Sequence, residues 1–324
     1  MPTAEETLSR LTEIPHLQVS THAPLSRHTR FGIGGPADVF VETSSEESFM
    51  AAFKLVRAVG IRHVVIGAGT NLIVSDDGFR GVVLKLVNRG IRAIGNCVMA
   101  EAGAVLQDLV DFTIDHGMHG METMTGIPGF VGAAVYGNAG AYGHSIHEWA
   151  HAVRFFDGGQ IRVFGNSECQ FHYRESIFKK RKDWIIFSVD LHLESGERDV
   201  LRKTAGDILT IRNEKYPPTM KCAGSIFKNY LLAELPPNVA ETVPAKAIRE
   251  GKVASAYFLE QVDVKGMRVG DIHIATYHAN LIYNAGQGTA RDLRTVIDEC
   301  KRRVLERFGM PLEEEVQYVG FELA

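Results

Sequence analysis

Three side chains in this chain of 324 residues are of types that could do chemistry, although each taken alone reads as structural. They are Arg174 in YRES (173–176), Ser225 in CAGSIFKN (222–229) and Glu315 in LEEEVQYVG (312–320). A guanidinium stays charged and grips a carboxylate through two parallel N–H bonds, although Arg174, beside Lys179–Lys182, by itself reads first as part of a solvated basic patch. Ser225 lies among small residues where a turn or cap serine is common, and no GxSxG elbow marks it as a hydrolase nucleophile. Glu315 ends an acidic triplet, Glu313-Glu314-Glu315, which alone reads as a solvated charge run. His273 and His278 are five apart and outside any HExxH pattern, so no metal site is indicated.

Glycine loops supply the second kind of signal. Residues 126–143, GIPGFVGAAVYGNAGAYG, hold Gly126, Gly129, Gly132, Gly137, Gly140 and Gly143, and no charged side chain interrupts them. Glycine is costly in regular structure, so the run predicts turns rather than a core helix or strand. Backbone N–H groups in such turns form anion-binding concavities that suit a pyrophosphate. A second loop, Gly67-Ala68-Gly69-Thr70-Asn71, follows an apolar strand-like run. It holds two glycines of a dinucleotide fingerprint, but Leu72 occupies the third position and no helix pattern follows, so a Rossmann motif is excluded. No Walker loop is present. Gly67 and Gly69 are compatible with a plain strand-to-loop turn, and two such loops in one half of the chain favour a single phosphate-bearing ligand.

The elements that must position these residues are legible in outline. Residues 44–58 read as a helix, with Ser44 and Glu47 as its capping box and Phe49, Phe53 and Val56 on one face. Strands are expected at Val64–Ile66 and Val82–Leu86, separated by a loop with Asp76-Asp77-Gly78, and a helix at 105–116. Residues 185–195 alternate as a half-buried strand, with Phe187, Val189, Leu191 and Leu193 inward and Ser188, Asp190, His192 and Glu194 outward. A helix over 197–213 ends at the prolines of YPPT (216–219). A long amphipathic helix, 289–308, closes at Gly309, and VQYVG forms a final strand. The length fits two or three domains of roughly 100–150 residues, divided as 1–85, 86–205 and 206–324.

Composition narrows the class. Hydrophobic residues make up 45% and charged residues 23%, and the net charge is −4. These values fit a soluble globular protein and give no electrostatic case for nucleic acid. No apolar stretch suits a membrane span, and the N-terminal residues carry no secretion signal. Four scattered cysteines, without a CxxC pair, fit a reducing cytoplasm. The chain is expected to be a cytoplasmic monomer.

Seven segments in sequence order resemble the UDP-N-acetylenolpyruvoylglucosamine reductase family, also named UDP-N-acetylmuramate dehydrogenase. They are HTRFGIGGPADVF (28–40), GAGTNLIVSDDGFRGVV (67–83), the glycine-rich run, YRES, CAGSIFKN, HANLIYN (278–284) and LEEEVQYVG. The resemblance implies an α+β fold: two FAD-binding subdomains of the vanillyl-alcohol oxidase (PCMH) type, then a C-terminal substrate-binding domain. It implies non-covalent FAD against Gly67, Ala68, Gly69, Thr70, Asn71 and Leu72, with further contacts from Gly126, Ile127, Pro128, Gly129, Gly132, Asn138, Gly140 and Ala141.

NADPH is the implied reductant and UDP-N-acetylglucosamine enolpyruvate the implied substrate of peptidoglycan precursor synthesis. By the same resemblance Arg174 anchors the enolpyruvyl carboxylate, Ser225 gives a proton to C2, and Glu315 helps stabilise the intermediate. Lys215 and Asn229 resemble positions that contact the uridine diphosphate and sugar, with Tyr142, Lys228, His278 and Asn280 as further substrate candidates. The chain departs from the family pattern at Ala68, Phe130, Tyr230 and Glu314, none of them a reacting group. The short segment after YRES is similar to the branch without an inserted tyrosine-bearing loop. The alternative within the same fold is a flavin oxidoreductase acting on a small hydroxy acid or alcohol.

Overall fold

A computed structural model describes residues 4–321, and of Ala4 and Glu5 only the backbone. The chain forms two compact units whose segments alternate. The first takes residues up to Ala23, Ala37–Ala68 and Arg80–Glu214; the second takes Pro24–Pro36, Gly69–Phe79 and Lys215 onward. No helix among the described residues is long and apolar enough to cross a membrane.

The first unit is built on two larger sheets. One is four-stranded, in the order Gln18–Pro24, Pro36–Thr43, Phe79–Leu86, His63–Ile66, with the last two parallel. The helix Glu46–Ala58 buries Phe49, Phe53 and Val56 in its core, so its apolar face is the expected one. Its N-cap is Ser45 rather than Ser44, because the Ser45 hydroxyl accepts the Ser48 N–H at 3.2 Å. The other sheet is five-stranded and antiparallel, in the order Ile161–Gly165, Ala150–Phe156, Ile185–His192, Cys97–Glu101, Ile91–Ile94. The half-buried alternation expected of Ile185–His192 holds only at its end. Residues 185–189 are buried throughout, because Ile185 and Phe187 pack into one core while Ile186, Val189 and Leu191 pack into another.

The glycine-rich run is not all turns. Val131–Tyr136 is a short, largely buried helix. Small residues let it lie close to its neighbours: a Cβ on Gly132 would sit 2.7 Å from the Ala102 Cβ, and Gly132 N–H donates to Ala102 O at 2.8 Å. Close approach of backbone, not a bend, is what glycine supplies there.

The second unit is built on an antiparallel sheet ordered Lys221–Ser225, Leu281–Asn284, Ile272–Ile274, Arg268–Val269. Against it packs the helix Ala290–Phe308, which buries Leu293, Val296, Ile297, Cys300 and Val304 in the same core as Ile272, Leu281 and Ile282. All three backbone donors of its first turn are met. The Thr289 hydroxyl takes Asp292 N–H, and the Asp76 carboxylate takes Ala290 N–H at 2.8 Å and Arg291 N–H at 3.0 Å. Gly309, at φ +68°, ends it. Asp76 follows Leu72–Val74, a short strand inside the expected loop, which pairs in parallel with the predicted C-terminal strand, Gln317–Val319.

Candidate active site

The residues singled out in the sequence fall into two constellations, one in each unit. In the first, Arg174 occupies a tight turn closed by reciprocal backbone bonds between His172 and Glu175. Its φ is +57°, a conformation that costs a non-glycine residue free energy and persists where surroundings fix it. Those surroundings are explicit. Lys179 Nζ donates to Arg174 O at 2.9 Å and pairs with Glu175 at 2.8 Å. The guanidinium donates to Gly140 O at 3.0 Å and lies over the Tyr173 ring. Arg174 is therefore half-buried and held rather than adrift in a basic patch.

Gly140 and Ala141 form one arm of a hairpin with His144-Ser145. Tyr142 and Gly143, its two central residues, both have positive φ, as a primed hairpin turn requires. A Cβ on Gly140 would lie 2.5 Å from His144 O. Buried Asn138, at φ +42°, ties the hairpin to the arginine turn by donating to His172 O at 2.8 Å. Tyr142 itself is exposed.

Upstream, Gly126 and Gly129 have φ of +75° and +127°. Gly126 N–H donates to the Gln107 side chain and Ile127 N–H to Met124 O, and Pro128 is exposed beside them. Two residues missed from sequence stand nearby in the chain: the hydroxyls of Thr123 and Thr125 are buried without a hydrogen-bond partner. An unmet buried hydroxyl costs about 1–3 kcal/mol. Only its place before a glycine turn could have drawn attention to either.

The loop 67–72 crosses from the first unit, which holds Gly67 and Ala68, into the second, which holds Gly69, Thr70, Asn71 and Leu72. Gly69 is required by the fold itself. Its φ is +68°, and a Cβ would come 1.7 Å from His28 O. Asn71 is tied to the end of the chain, its amide donating to Glu315 O and its carbonyl accepting Gln317 N–H, both at 2.9 Å.

The second constellation surrounds Ser225. A register shift after Cys222, with Gly224 at φ +77°, carries the strand to Ser225. Residues 226–228 then pair with 313–315. Glu315 N–H donates to Ile226 O at 2.7 Å and Lys228 N–H to Glu313 O at 2.9 Å. The Glu315 backbone is thus pinned on one side by Asn71 and on the other by the residue after Ser225.

Of its acidic neighbours Glu313 stays exposed, as a solvated run predicts, and Glu314 does not. Glu314, 14% exposed, pairs with Lys301 at 2.8 Å, and Glu313 pairs with buried Lys228. The Asn280 amide is spent on the Phe227 backbone, donating to its O and accepting its N–H at 2.9 Å each. The Asn229 carbonyl accepts Ser255 N–H. His278 is not satisfied by backbone at Nε2, which is buried and unpartnered. Burial, reinforced by Lys215 and Lys265, pushes its imidazole down to about 4, so it is neutral at pH 7. Tyr216, which reads in the sequence only as part of a helix-breaking YPPT, also belongs here. Its hydroxyl lies 3.2 Å from Ser225 Oγ, and Lys215 Nζ lies 5.0 Å from its ring centroid.

Known proteins match both units. Residues 37–162 match an FAD binding domain family, and residues 216–319 match the C-terminal domain family of UDP-N-acetylenolpyruvoylglucosamine reductase. The second match runs against the hydroxy-acid or alcohol alternative. The UDP-N-acetylenolpyruvoylglucosamine reductase of Solibacter usitatus is 62% identical over 311 residues, covering 96% of this chain and all of that protein. That of Rubrobacter xylanophilus is 37% identical, over 92% of this chain and 94% of its own. The crystal structure of the reductase from Thermus caldophilus superposes with a TM-score of 0.72 at 27% identity, over 94% of this chain and 98% of that one. With relatives of one name matched over nearly their full length, the chain belongs to the UDP-N-acetylenolpyruvoylglucosamine reductase family.

Proposed function

We propose that this chain reduces the enolpyruvyl ether of UDP-N-acetylglucosamine enolpyruvate to UDP-N-acetylmuramate, using NADPH and non-covalent FAD, in peptidoglycan precursor synthesis. The observation that carries this reading is the 62% identity to a reductase matched over its whole length. The chain's residues fit the flavin. Thr123 and Thr125 hold buried hydroxyls in want of a partner, followed by two glycines at positive φ. A ring system with polar edges would meet the hydroxyls, and Gly67, Ala68 and the backbone of 126–141 are the candidates to hold the rest. We assign 1–85 and 86–205 as FAD-binding subdomains 1 and 2 and 206–324 as the substrate domain, although Phe31, Ile33 and Ile73 of the first division are buried in the core of the third. We place the enzyme in the cytoplasm, as a monomer, with cell-wall growth and division depending on it.

When bound, FAD supplies the transfer of hydride from NADPH to C3 of the enolpyruvyl group. Negative charge then develops at C2 and spreads into the neighbouring carboxylate, and the protein's residues must meet it. Arg174 is suited to this because its backbone is fixed, and donors fixed before reaction stabilise developing charge without reorganising. Glu315, with its backbone held on both sides, is the second stabilising group. Ser225 supplies the proton to C2. Lys215 and Asn229 are assigned to the uridine diphosphate and sugar, with Tyr142, Lys228, His278 and Asn280 as weaker contacts.

The test is the absorption spectrum of purified protein. Oxidised flavin should bleach with NADPH, return with the UDP-enolpyruvyl sugar, and leave with the supernatant after acid precipitation. Protein that cannot be loaded with flavin, or a reduced flavin indifferent to that sugar, would refute the assignment.

A further inference from the structure

An alcohol left to itself is a poor acid. Water's own pKa is about 15.7, whereas that of a phenol is about 10. A serine that protonates carbon near neutral pH therefore gains from a neighbour that refills it as its proton leaves. Tyr216 is placed to do so, with Oη 3.2 Å from Ser225 Oγ. Its position follows from the chain. The helix Arg198–Lys215 stops at Lys215, and Pro217-Pro218 prevent its continuation. The Tyr277 hydroxyl holds Lys215 O at 3.0 Å, and Met220 N–H closes a turn onto Pro217 O at 2.9 Å. Lys215 Nζ stands 5.0 Å from the ring centroid. The ring of neutral His278 packs edge-on at 6.4 Å. Beside Ser225, a Cβ on Gly224 would meet nothing within 4 Å, which leaves room for a substrate.

We propose that Tyr216 is the proton-relay partner of Ser225. As the Ser225 Oγ–H bond breaks and a C2–H bond forms, the Tyr216 Oη–H bond breaks and a new Oγ–H bond forms. The charge then rests on the phenolate beside Lys215, and water restores its proton. One solvent proton enters per turnover and the relay moves no electrons between groups. This rests on the assignment of Ser225 as proton donor. Tyr216 acts through Ser225 and is a positioning residue.

The experiment compares Tyr216→Phe, Ser225→Ala and the double variant, each loaded with flavin, in stopped flow. Tyr216→Phe should leave flavin reduction by NADPH within about twofold and slow reoxidation by the UDP-enolpyruvyl sugar about 10–100-fold, at the low end of general acid catalysis. In the Ser225→Ala background the same change should add nothing, since residues acting as one unit are not additive. Reoxidation of Tyr216→Phe at the wild-type rate, or losses that multiply, would overturn the relay while leaving Ser225 as donor. Ser225→Ala reoxidising at the wild-type rate would remove the donor assignment and the relay with it. Should Tyr216→Phe fail to fold, a fluorinated tyrosine at position 216 keeps ring and hydroxyl. It should shift the alkaline limb of the reoxidation pH profile downward, and an unmoved limb counts against the relay.

Discussion

Asp76→Ala should loosen the helix Ala290–Phe308 without disturbing the first unit. The carboxylate takes two backbone donors, at 2.8 and 3.0 Å, and these donors have no partner inside the helix. A single helix cap is worth about 0.5–2 kcal/mol, and a carboxylate at the positive end of the helix adds about 0.3–1 kcal/mol. Thr289 still caps Asp292 in the variant, and Asp76 is exposed, so water replaces part of what is lost. The expected loss is about 1–2 kcal/mol. Asp76→Asn keeps an acceptor and should lose about half of that. Tryptophan fluorescence is the wrong assay, because Trp149 and Trp184 both belong to the first unit. Hydrogen exchange followed by peptide mass is the right one. Peptides from 290–308 should exchange about 5–30-fold faster, with those from 106–115 as internal control. Unchanged protection over 290–308 in a folded Asp76→Ala variant would show that Thr289 alone caps the helix and that the Asp76 bonds carry no weight.

Two further predictions concern the candidate site. Arg174→Lys keeps the charge and loses the planar fork, so reoxidation by substrate should slow about 100–1,000-fold while flavin reduction by NADPH changes little; stopped-flow traces in which both halves slow equally would point to a structural role instead. His278 is held neutral, with its pKa lowered from 6.5 to about 4. As pH falls below 6.5 the unfolded chain takes up a proton that the folded chain refuses until about pH 4, so stability declines through that window. The decline is at most about 3 kcal/mol, less for a ring that water partly reaches. Urea midpoints at pH 7 and pH 5 should therefore differ less in His278→Gln than in wild type, and equal differences would refute it.

What was legible in the sequence was local. Thr289, Gly309 and the apolar spacing from Leu293 to Val304 mark a helix within one stretch of chain, and the helix is there. The short strand Leu72–Val74 was not legible, because its partner, Gln317–Val319, lies at the far end of the chain. Asp76 reads as a turn residue for the same reason: the helix it caps begins 214 residues later. At the site, YRES and CAGSIFKN drew the eye to Arg174 and Ser225. Tyr216 was hidden because a tyrosine before two prolines looks like punctuation, and its meeting with Ser225 depends on where a helix stops. The Glu313 and Glu314 pairings escaped because ion pairs with Lys228 and Lys301 follow from packing, not from a run of like charges.

The alternation of segments between the units constrains how the chain can be made. A ribosome emits the first unit's last residue, Glu214, while segments 24–36 and 69–79 still await their partners in Lys215 onward. Phe31, Ile33 and Ile73, all buried in the finished second core, are therefore exposed to solvent or to a chaperone during the synthesis of about a hundred further residues, at about 5–20 residues per second. A fragment cut to the C-terminal family match, 216–319, would lack those three side chains, the strand beside Gln317–Val319 and the Asp76 cap. A cut between consecutive stretches of sequence is thus not one along which this enzyme can be taken apart, and newborn chains pass through an interval of vulnerability that the mature fold conceals.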